Sequence, residues 1–168
     1  IVRSEDQVSL LKSQGAEYVV NSSDADFAEQ LTAALNATGA TLAFDAIGGV
    51  TLGIAILMAM EAAAVLRMTE WSRYGSNEFK QLYIYGALDL APTTLNRGYG
   101  FSWGIGGWLL TPFMMKAGRE VVDRMQAKVV AELTTTFASG YSDRISLAES
   151  VTPGAGAKYG VRATGQKA

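Results

Sequence analysis

The sequence predicts an α/β fold, part of a doubly wound, Rossmann-like parallel sheet, and three observations carry that prediction. The first is the run 41–49, Thr-Leu-Ala-Phe-Asp-Ala-Ile-Gly-Gly, whose apolar residues are too continuous for a strand with one solvated face. Runs of this kind belong to parallel sheets covered by helices on both sides. The second is Leu82-Tyr83-Ile84-Tyr85-Gly86, a β-prone run that also ends on glycine. The third is the alternation of strand and helix patterns over roughly the first 90 residues, the rhythm of a parallel sheet rather than of a bundle or sandwich.

In chain order, Ile1-Val2 reads as the tail of a strand, followed by Ser4-Glu5-Asp6-Gln7, a capping box that starts a helix. Val8, Leu10 and Leu11 supply its apolar stripe, and Gly15 accepts the left-handed conformation that ends it. Tyr18-Val19-Val20 is the next strand. The polar turn 21–24 then leads to a second helix, with Phe27, Leu31 and Leu35 on one face and Gly39 as its stop. Asp24 and Asp26 suit the positive end of that helix and read as structural.

Asp45 closes the central strand on its carboxyl end, where open α/β sheets bind ligands, and Gly48 and Gly49 would let backbone come close to one. A strand end with a capping turn uses the same residues. Residues 50–64 form an apolar helix whose single charge is Glu61. Residues 98–108 hold five glycines among Tyr99, Phe101, Trp103 and Trp108, which predicts a loop. Such a loop serves a substrate pocket, an oligomer contact or simple packing. Val122, Met125, Val129 and Leu133 then place an amphipathic helix over 119–133, expected to close the sheet. Residues 134–137 can form a strand, and the small-residue tail from 142 onward reads as a separate unit.

Composition narrows the chemistry. With 168 residues and 49% apolar content the chain can bury a sizeable core. Its 14 basic and 16 acidic residues, net −2, form no patch for nucleic acid. There is no cysteine and no histidine, so thiol nucleophiles, imidazole bases and the usual zinc ligand sets are excluded, and no zinc is expected. The charged opening at Arg3, Glu5 and Asp6 predicts no secretory leader, and a cytoplasmic setting is compatible with the composition. The uncharged stretch 98–115 has the length of a membrane span, but its five glycines and Pro112 fit a folded segment. No phosphate-cradling glycine fingerprint is present. Arg3 stands where a dinucleotide fold reads the ribose, and an arginine there favours a 2′-phosphate over a 2′-hydroxyl. A solvated charge at a helix start is the other reading of Arg3.

Ile-Val-Arg-Ser-Glu-Asp-Gln at 1–7, Lys-Ser-Gln-Gly-Ala-Glu-Tyr-Val-Val-Asn at 12–21 and Ala-Phe-Asp-Ala-Ile-Gly-Gly at 43–49 resemble the medium-chain dehydrogenase/reductase superfamily. Tyr-Ile-Tyr-Gly-Ala-Leu-Asp at 83–89 and Trp-Gly-Ile-Gly-Gly-Trp-Leu-Leu at 103–110 further resemble its zinc-binding-dehydrogenase-like branch of quinone-oxidoreductase type. The resemblance implies an NADP-dependent oxidoreductase of which this is a C-terminal fragment. Residues 1–133 would be a partial dinucleotide-binding domain lacking its first βα unit, and 134–168 a segment returning to the catalytic domain. Arg3 and Ser4 would face the adenosine phosphate. Asn21, Asp45, Ile47, Gly48, Tyr85 and Gly86 would line the cofactor crevice, with Trp103 near the substrate. No catalytic residue is expected within the chain. The implied partners are a small-molecule substrate, an activated carbonyl or alkene such as a quinone or enone, and a second copy in a homodimer through Trp108 and Leu109. The alternatives are an enoyl-thioester reductase and a non-catalytic α/β binding or assembly module.

Overall fold

The computed structural model describes residues 1–138, 140–141 and 143–160. The chain divides into two compact units, Ile1–Leu110 and Thr111–Ala168. In the first unit the elements run α1 (Glu5–Ser13), α2 (Phe27–Thr38), β1 (Leu42–Asp45), α3 (Leu52–Leu66), β2 (Lys80–Ile84) and β3 (Trp103–Gly107). The three strands form one parallel sheet in the order β1-β2-β3. Leu42 faces Gln81 and Phe44 faces Tyr83, and on the other side Lys80 faces Trp103. The α/β class and the parallel sheet are those the sequence predicts.

Local chemistry sets the element ends as expected, with one change. Ser4 caps α1 through Gln7 N–H at 3.4 Å, but Gln7 Oε1 reaches past the cap to the backbone N–H of Arg3, at 2.8 Å. Helix α2 stops at Gly39, which is left-handed at φ 64°. Leu31 is buried on the predicted face, joined by half-buried Phe27 and Leu35.

Helix α3 is the core of the unit. Ile56, Leu57, Ala59 and Met60 pack with Val20, Leu31, Leu82 and Tyr99 in one cluster. Its single charge is also buried: Glu61 meets Lys80, the first residue of β2, whose Nζ lies 2.5 Å from Glu61 Oε2. Ser76 donates to the same carboxylate from its N–H, at 2.7 Å, and from its hydroxyl, at 2.6 Å. Lys80 also reaches Ser76 Oγ at 3.0 Å and Glu78 O at 2.8 Å. The charges are therefore paired and hydrogen-bonded, the condition for burying them.

Several expectations are corrected. The strands at Ile1-Val2 and 18–20 contract to a single parallel bridge, Val2 with Asn21, held by Val2 N–H to Val20 O and Ser22 N–H to Val2 O. The 41–49 run is not covered on both sides. Ala43 and Asp45 turn inward, whereas Leu42 and Phe44 are 52% and 51% exposed, because α2 and α3 supply no cover for that face. The glycine-rich stretch is not a loop throughout: 103–107 is a strand, at the edge of the sheet. Glycine is tolerated there because Gln81 and Phe79 lie over Gly104, where a Cβ would meet Gln81 Oε1 at 2.7 Å.

The second unit carries α4 (Leu110–Ala117), α5 (Arg119–Ala131), α6 (Leu147–Ser150) and α7 (Pro153–Gly160). The amphipathic helix forms as α5, it groups with this unit rather than with the sheet's, and none of its residues is buried. The stretch 134–137 is a turn, not a strand. Thr135 and Phe137 N–H both return to Glu132 O, so its donors are satisfied locally. Helix α6 opens with a full capping box between Ser146 and Glu149. Ser139, Ser142 and 161–168, all within the segment expected to return to a catalytic domain, lie outside the described residues. Among the described residues no helix is long and apolar enough to cross a membrane.

Candidate functional site

The carboxyl ends of β1 and β2 bring together five of the nine candidate site residues: Asp45, Ile47, Gly48, Tyr85 and Gly86. Asp45 ends β1, where the side-chain alternation that buries Ala43 buries it too, to 2% exposure. Its Oδ1 accepts from Ile47 N–H at 2.8 Å and Gly48 N–H at 3.1 Å. This is the capping-turn reading of Asp45, with the carboxylate committed to its own backbone. The turn drives Gly48 and Gly49 to φ 73° and 76°, which is why both are glycine.

On β2, Tyr85 N–H continues the ladder to Asp45 O at 2.9 Å. Past Gly86 the chain returns to the first lip. Asp89 N–H donates to Ile47 O at 2.9 Å, and Gly48 and Asp89 form a parallel bridge. The glycines at these strand ends admit the neighbouring lip. A Cβ on Gly86 would strike Ala46 O, and one on Gly49 would strike the Asp89 carboxylate.

The remaining candidates lie apart from this group. Asn21 is bridged to Val2, and Arg3 is the next residue along from Val2. Asn21 is buried and holds its turn, donating from Nδ2 to Asp24 Oδ1 and accepting from Ser23 N–H. Asp24 thus acts in the turn before α2 rather than within the helix. Ser4 is the α1 cap, and Ser23 Oγ donates to Arg3 O at 2.9 Å. The Arg3 side chain is exposed, and among the described residues its guanidinium has no ion pair.

Trp103 sits at the other end of the sheet. It pairs with Lys80 at the start of β2, stacks edge-on against buried Tyr99 at 4.8 Å, and donates Nε1–H to Gly100 O. Trp108, at the carboxyl end of β3, is the tryptophan beside the crevice tips. Its N–H bonds Ile84 O at 2.9 Å, and its ring lies edge-on to Phe44 at 5.9 Å. Phe44 also meets Tyr83 and Tyr85, so an aromatic sheet face runs up to the site. The signal that would have found it is the alternation of Phe44, Tyr83, Tyr85 and Trp108 onto one side of the strands.

The parallel sheet, α3 crossing between β1 and β2 and the convergence of strand tips define a Rossmann-like α/β fold. Among solved structures, the chain is similar to a "putative NADPH:quinone reductase" from Mesorhizobium loti, with a TM-score of 0.65 over 90% of this chain and 40% of that chain. The two are 24% identical, which shows the fold, and this chain spans 40% of the length of that protein. No family model and no curated protein matches.

Proposed function

We propose that this chain carries part of the cofactor-binding apparatus of an NADPH-dependent oxidoreductase that passes hydride to an activated carbonyl or alkene, such as a quinone or enone. The likeness in fold to the Mesorhizobium loti protein is the observation that supports this reading most. The nicotinamide would supply the hydride, while the protein binds and orients.

The residues of the chain fit that group in part. Arg3 is exposed and immediately precedes the α1 N-cap Ser4, and its guanidinium would favour an anion such as a 2′-phosphate. Ser4 would help while remaining the cap. Asn21, through its amide, and Asp45, through Oδ1, are bonded within their own turns, so each would shape the site through its turn. Ile47, Gly48, Tyr85 and Gly86 would line it. A homodimer through Trp108 and Leu109 and a cytoplasmic setting complete the proposal.

Titration of the full-length protein that contains this chain with NADPH and NADH tests it. Arg3→Ala should weaken NADPH about 10-fold or more, a charge-assisted hydrogen bond being worth about 1.5–3 kcal/mol, and leave NADH nearly unchanged. Equal losses for both would refute the assignment. An enoyl-thioester reductase would share this cofactor site and differ only in which substrate is turned over. A non-catalytic assembly module is favoured by the half-exposed Phe44 and Tyr85, and a chain that self-associates while binding neither cofactor would establish it.

A further inference from the structure

We infer that Asp89 is a positioning residue that keys the β2 lip into Gly49 on the β1 lip, so that the two strand tips present one rigid edge to a bound cofactor. The inference rests on the cofactor reading above for what the edge meets, and on geometry alone for the lock itself. Parallel strands feed separate connections, and nothing in a parallel ladder obliges their ends to rejoin. Here they do. After β1 and β2 finish, the Gly48 and Asp89 bridge closes again with Asp89 N–H to Ile47 O at 2.9 Å.

Three glycines sit where the lips approach each other closely. A Cβ on Gly86 would meet Ala46 O, one on Gly49 the Asp89 carboxylate, and one on Gly48 would lie 3.3 Å from Asp89 O. Each lip is also held from within by an aspartate. Asp45 Oδ1 takes the N–H groups of Ile47 and Gly48, and Asp89 Oδ1 takes that of Ala91 at 2.9 Å. Asp89 therefore acts twice, folding its own lip and resting against the other. It is itself exposed and outside the apolar cluster, so its removal should disturb placement more than global stability. Pre-set groups of this kind favour binding by reducing what must be ordered when the ligand arrives.

The test compares Asp89→Ala, Asp89→Asn, Gly49→Ala and the Gly49→Ala/Asp89→Ala double variant in the full-length protein that contains this chain. Three quantities are read: NADPH affinity, melting midpoint, and hydrogen exchange at the amides of residues 89 and 91. Asp89→Ala should weaken NADPH about 10-fold and speed exchange at both amides by a similar factor, with the midpoint unchanged. Asp89→Asn should restore both, since its amide oxygen accepts the same bond. Gly49→Ala should weaken NADPH at least as much, and adding Asp89→Ala to it should cost less than Asp89→Ala costs alone, because the keyed contact is already lost. Unchanged exchange in Asp89→Ala, or an affinity loss that tracks a falling midpoint, overturns the inference. If the unaltered full-length protein takes no NADPH, the cofactor reading fails. Exchange then judges the lock alone: faster exchange that Asp89→Asn reverses upholds it, and unchanged exchange removes it.

Discussion

The two ends of the same three-stranded sheet are fastened by opposite means. At the amino end four chain segments converge on one buried carboxylate. Glu61 of α3 receives Ser76 and Lys80, and both Gly75 and Gly100 lie so close that a Cβ on either would press on it. At the carboxyl end the fastening is backbone to backbone, with aspartates folding each lip. A buried ion pair depends on every member, because losing one leaves the other charged in an apolar site. A backbone bridge strands no buried charge when a side chain is removed, so the loss of global stability is smaller. The difference teaches that the end away from the candidate site depends on buried side chains, while the lips are held in register by backbone bonds and their own aspartates.

The sharpest way to break this comparison is Glu61→Ala, which leaves Lys80 without its counter-charge at 0% exposure. Stability should fall by about 3–5 kcal/mol in denaturant titration. Replacing both partners, Glu61→Leu with Lys80→Met, should cost far less, since no charge is left stranded. A single variant as mild as the double would show that the network is not what fastens this end.

The same carboxylate sets an acid limit. Burial alone would raise the Glu61 carboxyl, but hydrogen bonds from Lys80 and from the side chain and backbone of Ser76, together with the Lys80 charge, outweigh it and hold the group below its ordinary value. A group whose pKa is depressed on folding contributes stability that is complete above its unfolded value and is lost as pH falls through the folded one. Stability should therefore drop on the acid side of the ordinary glutamate range. Glu61→Gln should flatten that limb, measured as melting midpoint against pH, and an unchanged limb would assign acid sensitivity to other groups.

A smaller effect is expected at the carboxyl end. Gly86→Ala drives a Cβ onto Ala46 O, a backbone atom that cannot move aside as a side chain could, and should cost about 2–3 kcal/mol. Gly107, on the edge strand, has nothing within 4 Å of its would-be Cβ and no positive φ. Gly107→Ala should be neutral or stabilise by about 0.5 kcal/mol. Equal melting midpoints for the two variants would mean that the lips are not in close contact.

Legibility in the sequence follows the range of the interactions. Helices α1 and α2 were readable because Ser4, Gly39 and the Phe27, Leu31, Leu35 spacing act within a turn or two. The run ending at Asp45 announced β1, but the bareness of its outer face depends on which helices exist to cover it. Strand β3 was hidden by Gly104, Gly106 and Gly107, whose weak strand preference is overridden by pairing along all of β2. The period-two spacing of Trp103 and Ile105, both half-buried against the core, was the missed clue. Glu61 carried a clue as well. A lone carboxylate in an apolar helix requires a partner, yet nothing local says that the partner is Lys80, 19 residues on. The lips show the same limit, since glycines mark a close approach without saying what approaches.

The finest test uses an ion pair of the same chemistry in a different setting. Arg67, the C-cap residue of α3, donates through Nη2 to both Glu78 oxygens, at 2.8 and 3.0 Å, and through Nη1 to Asn36 of α2 at 3.3 Å. Its geometry is good, yet the two side chains are 33% and 36% exposed, so water and salt compete for both charges. A double-mutant cycle with Arg67→Ala and Glu78→Ala should return a coupling of about 0.3–1 kcal/mol that shrinks further in about 1 M salt. The Glu61–Lys80 coupling, shielded from solvent, should hardly respond to that salt. If the Arg67–Glu78 coupling instead exceeds about 2 kcal/mol and resists salt, burial is not what separates strong from weak fastenings here. The contrast between the two ends of the sheet would then lose its physical basis.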